Sequence, residues 1–95
     1  MAMWIKQGVF GALEPEAAEG QRQMRKLFAS KREDLYITSI REGTHSDGSF
    51  HYDGRAWDQR MNKNVTIDEM RAALGGNNFD IVLECDHVHV EYDPK

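Results

Sequence analysis

Apolar residues along the chain fall into five short strand-like runs and two stretches with helical spacing. Residues 3–10 predict a short strand, with Trp4, Val9 and Phe10 available for burial. Pro15 suits the first turn of a helix. Ala17, Met24, Leu27 and Phe28 then recur at helical spacing, predicting a helix over 15–31 with a basic outer face. Gly20 weakens that helix by about 1 kcal/mol relative to alanine without breaking it. "DLYITSI" (34–40) is β-branched and aromatic and predicts a strand. Residues 41–54 have three glycines and no period, as in a long loop, and a short strand is expected at 55–58. "NVTIDEMRAALGG" is the clearest helix. Thr66 and Glu69 have capping-box spacing, Ile67, Met70, Ala73 and Leu74 form the apolar stripe, and Gly75 and Gly76 end it. "FDIVLEC" (79–85) and the strictly alternating "HVHVEY" (87–92) predict two more strands.

This order of elements points to an α+β fold, a small, mostly antiparallel sheet with helices packed on one face. Ninety-five residues suit one domain spanning 1–95. Trp4, Phe28 and Trp57 read as core, as do Met24 and Met70. Cys85 is the single cysteine, so no disulfide can form within the chain. As a strand residue it is expected to pack as a small apolar group.

Charge narrows the partners. The formal net charge is −4, and the basic group Arg22, Arg25, Lys26, Lys31 and Arg32 falls on a helix face, which reads as solvated. Neither a nucleic-acid surface nor a membrane span is expected. The first residues lack the pattern of a secretory signal. The expectation is a monomer that is cytoplasmic as synthesised.

The four histidines are more informative. None lies in either predicted helix: His45 and His51 fall in the 41–54 loop, and His87 and His89 open the last strand. Alternation puts His87, His89 and Glu91 on one face of that strand, with Val88, Val90 and Tyr92 on the other. On the strand alone, a half-buried edge with a polar outer face suffices. The segment "SFHYDGRAWD" (49–58) adds His51 and Asp58, with Gly54 to let the chain turn and Ala56 small enough for close packing. A catalytic zinc takes three His or carboxylate ligands and leaves one position open. His51, Asp58 and one histidine of the strand pair would supply that set. His45 and Glu84 read as exposed, and Glu91 as solvated.

Both segments resemble a known family. Residues 49–58 match the Ser-x-His-x-x-Gly-x-Ala-x-Asp signature of the zinc D-alanyl-D-alanine carboxypeptidases at every fixed position. "DHVH" (86–89) is similar to that family's second signature, an acid followed three residues later by the last metal ligand. The family includes D-Ala-D-Ala dipeptidases and phage L-alanyl-D-glutamate endopeptidases, and the Hedgehog signalling domain shares its fold. The order of elements looks similar over roughly residues 30–92.

The resemblance implies roles. His51, Asp58 and His89 would be the zinc ligands and Asp86 the general base. His87 falls where many members have a histidine close to the metal, in a transition-state or orienting role. Ser49 would support the motif through hydrogen bonds. Arg41 would bind the substrate carbonyl and developing oxyanion, with Arg55 and Arg60 as rivals. For Asp86 and His89 to reach one site, Asp86 must sit at the strand's entry or be re-aimed by a bulge. The implied function is a zinc metallopeptidase cutting peptidoglycan peptides, at D-Ala-D-Ala or another stem-peptide linkage. The chain's size resembles phage-type members, which act on the cell wall once released. The alternative is a non-catalytic zinc-containing binding module or virion component of the same fold.

Overall fold

The structure is a computed structural model that describes residues 3–5, 13–40, 54–75 and 78–94. Its elements are β1 (Met3–Ile5), α1 (Pro15–Ser30), β2 (Leu35–Ser39), β3 (Ala56–Arg60), α2 (Ile67–Leu74), β4 (Phe79–Glu84) and β5 (His87–Tyr92). They form an α+β fold with a five-stranded sheet in the order β1-β2-β3-β5-β4.

The sheet is mixed: three of its four pairings are antiparallel, as expected, and one is parallel. β1 pairs with β2 in parallel, while β2–β3, β3–β5 and β5–β4 are antiparallel. The connection lengths explain this. α1 joins β1 to β2, and a connection of that length can return the chain to the end where β1 began, as parallel pairing requires. α2 joins β3 to β4 in the same way, and β5 folds back from β4 through the two-residue turn Cys85–Asp86 into the gap between them.

Alternation sorts the side chains into two faces. Leu35, Ile37, Trp57, Ile81, Val88 and Val90 are buried and pack with Met24 and Phe28 of α1 and Met70 and Leu74 of α2. Both helices therefore cover one face. Gln59 is a polar member of this layer and is fully buried. Its cost is offset because the Trp57 indole Nε1 donates to Gln59 Oε1 at 2.8 Å.

The helices are fixed to the sheet at their ends. Pro15 opens α1, and the Glu14 amide just before it donates to the Gly54 carbonyl at 2.7 Å. Gly54 has φ 74°, a left-handed conformation that glycine adopts without steric cost. α2 begins with a complete capping box between Thr66 and Glu69. Glu69 also pairs with Lys31, just past the end of α1, and this contact above all lowers the carboxyl's pKa. Gly75 ends α2 with φ 67°.

Two expectations about packing fail. Trp4 is 53% exposed rather than core, because it pairs with Tyr36 on the open face, while its neighbour Met3 pairs with Leu35 on the core side. Cys85 is exposed too, since the two-residue turn carries it away from the sheet with φ 50°. Val9 and Phe10 lie outside the described residues. Among the described residues, no helix is long and apolar enough to cross a membrane.

Gly20 has a packing role that its helix penalty hides. A Cβ there would come within 2.3 Å of the Phe79 ring. Gly20→Ala should therefore lower stability by about 1 kcal/mol: the helix gains about 1 kcal/mol while overpacking costs about 1–3. In a Phe79→Ala background the same change should become stabilising. Urea denaturation of the four proteins measures both signs; a stabilising G20A in the otherwise unchanged chain would contradict the packing account.

Candidate metal centre

The open face of the sheet carries the polar residues. The β3–β5 register sets Ala56 opposite Glu91, Asp58 opposite His89 and Arg60 opposite His87. The β4–β5 register sets Asp80 opposite Glu91, Val82 opposite His89 and Glu84 opposite His87. Strand β5, between β3 and β4, thus presents His87, His89 and Glu91 in a row, flanked by acids on both sides.

Of the sequence-predicted ligands, Asp58 and His89 are brought together. His89 Nδ1 lies 2.9 Å from Asp58 Oδ1, and both side chains are about 15% exposed, at 15% and 16%. His89 Nε2 meets Glu91 Oε1 at 2.8 Å. Arg41, His45, Ser49 and His51 lie outside the described residues. Asp86 sits in the turn at the entry of β5, one of the two placements that its proposed role allowed. It lies 3.3 Å from His87 Nδ1. Arg55, a rival for the oxyanion role, instead reaches Glu14 at 3.4 Å.

A cleft of about 410 Å³ opens beside these groups, lined by Thr38, Ser39, Asp58, Arg60, Asp86 and His87. Its β2 wall depends on a register shift. Ile37 pairs with Gln59 but Ser39 pairs with Asp58, so β2 holds one extra residue between these pairs. Such an irregularity re-aims side chains, and both Thr38 and Ser39 reach the cleft. The Arg60 guanidinium lies over the Tyr36 ring, 4.5 Å from its centroid.

Glu84 and Glu91 are the residues that sequence reasoning undervalued. Glu91 orients His89, and its position two residues along the same strand was the available signal. Glu84 lies 3.4 Å from His87 Nε2. Finding it required the hairpin register, which only the pairing of β4 with β5 supplies.

The donor set suits zinc as far as it is described. Zinc bonds to nitrogen and oxygen of about 2.0–2.1 Å put neighbouring tetrahedral donors about 3.3 Å apart. The 2.9 Å Asp58–His89 contact is a hydrogen bond, and the two atoms would have to part slightly, with loss of the shared proton, to serve as neighbouring zinc donors. Glu91 on the second nitrogen is the kind of partner that fixes a ligating imidazole. His51 would be the third donor. Among the described residues, the three-donor groups are Asp58, Glu84 and His87, and Asp80, Glu91 and Asp93; neither includes His89.

Asp58 chiefly, and Glu91 second, hold His89 in its protonated form and raise its pKa from 6.5 to about 9 against the opposing effect of burial. Below pH 6.5 the folded and unfolded chains both carry this proton, and the stabilisation is complete. It is lost as pH rises through about 9. Metal-free protein should therefore lose up to about 3 kcal/mol across this window. His89→Gln should flatten the dependence. Urea titrations at several pH values test this, and an unchanged slope in H89Q would contradict it.

Comparison with known proteins leaves this geometry to speak for itself: no family model matches the chain, and no curated protein or solved structure matches it at a significant level.

Proposed function

We propose that the chain is a zinc-dependent peptidase that hydrolyses peptidoglycan peptides, with the frame of the D-alanyl-D-alanine carboxypeptidase and Hedgehog-type fold. The observation that carries this reading is the cross-strand pair Asp58–His89, whose Asp58 lines one cleft together with Asp86. A zinc ion held by His51, Asp58 and His89 would supply Lewis acidity and a water that ionises near neutral pH.

The chain's own residues do the rest. Asp86 accepts a proton from the attacking water and returns it to the leaving amine. Its side chain is 97% exposed, so an incoming peptide can reach it. Glu91 fixes the His89 ring. Asp86 and Glu84 contact opposite nitrogens of His87, which keep that ring on the cleft wall. The oxyanion needs a cation, since charge develops on the carbonyl oxygen in the transition state. Arg41 holds that role in the family pattern, and Arg60 is the arginine that lines the described cleft.

Purified peptidoglycan incubated with zinc-loaded protein should release stem-peptide fragments detectable by mass spectrometry. Asp86→Asn should keep its zinc and lose at least about 100-fold in rate, as expected for a missing general base. His89→Ala should lose the tightly held zinc equivalent and hydrolysis. Wild-type rates in D86N would remove Asp86 from the mechanism. Binding of wall fragments without any product would instead favour a recognition module.

A further inference from the structure

We infer that Asp58, Glu84 and His87 form a second divalent-cation site, which shares Asp58 with the proposed zinc centre. The inference rests on the preceding reading only for that shared ligand. Single donor atoms from these three residues all lie within 4.8 Å of one another. His87 Nε2 is 3.4 Å from Glu84 Oε1 and 3.8 Å from Asp58 Oδ2. Small side-chain movements bring these separations to the roughly 3.3 Å expected around zinc.

Asp58 divides its two oxygens. Oδ1 faces His89 Nδ1 and Oδ2 faces His87 Nε2. A carboxylate between two imidazoles in this way can bridge two ions. His87 has the second feature of a metal-binding imidazole: its other nitrogen, Nδ1, is held by Asp86 at 3.3 Å.

Charge favours the same occupant. Four carboxylates, Asp58, Glu84, Asp86 and Glu91, meet two imidazoles, His87 and His89, each of which carries at most a single positive charge. Arg60 lines the cleft but lies over Tyr36. A divalent cation neutralises the excess. One imidazole with two carboxylates suits zinc. Glu84 is 51% exposed, so the site is open and binds more weakly than the shared centre.

Isothermal titration of metal-free full-length protein with zinc tests this. The wild type should take up two equivalents, the second at least about tenfold more weakly. Glu84→Gln should keep only the tighter equivalent, and His87→Gln should do the same if E84Q misfolds by circular dichroism. His89→Ala should lose the tighter equivalent and keep the weaker. A single wild-type equivalent that E84Q retains, or two equivalents in E84Q, overturns the second site, whereas a single equivalent that E84Q loses would count against the first centre. The zinc count is independent of catalysis, so absence of peptide hydrolysis would fall on the proposed function alone.

Discussion

The candidate site depends on the register between β3 and β5. Asp58 stands opposite His89 because Gln59 stands opposite Val88 and Trp57 opposite Val90. Those four core-facing residues are at most 1% exposed. A slip of one residue would turn Trp57 and Gln59 to solvent and drive Asp58 into the apolar layer. The indole-to-Gln59 hydrogen bond adds a further constraint, since a slip would disturb the only polar contact that satisfies the buried amide oxygen among the described residues. Core packing on one face thus sets the chemistry on the other.

Irregular backbone then shapes the cleft. The extra residue in β2 brings both Thr38 and Ser39 to its wall, where a regular strand would offer one. The Cys85–Asp86 turn places an acid at the entry of β5, beside the histidine strand. Its cost is a non-glycine residue with φ 50°, a conformation that L-residues avoid. Helix α1 is tied to the other end of the β3–β5 ladder, through the hydrogen bond from the Glu14 amide to the Gly54 carbonyl at the approach to β3.

Much of the frame was legible because it depends on local signals. Pro15, the Thr66–Glu69 capping box and the glycine at 75 set helix ends by chemistry within a few residues. Alternation in "HVHVEY" assigned each residue of β5 to its observed face. The parallel pairing of β1 with β2 was not legible, since it arises from how a helical connection returns the chain. Trp4 misled because hydrophobicity alone does not reveal which face of the sheet a residue occupies. At the site, the grouping of Asp58 with His89 was implied by the resemblance to the carboxypeptidase signatures, since the residues alone left His87 and His89 as alternatives. Glu84 is exposed as expected, but its contact with His87 depends on strand register, whereas Glu91 was read as solvated although alternation already put it on the face of His89. Cys85 was misplaced by reading β4 one residue too long, when the chain turns at that point.

The central claim is that Asp58 and His89 hold zinc together. X-ray absorption at the zinc edge, on protein loaded with one equivalent, tests it most directly. The account predicts a shell of nitrogen and oxygen at about 2.0–2.1 Å, with imidazole scattering that weakens or disappears in His89→Ala. A sulfur shell at about 2.3 Å, which would implicate Cys85, or a spectrum unchanged by H89A, would contradict it.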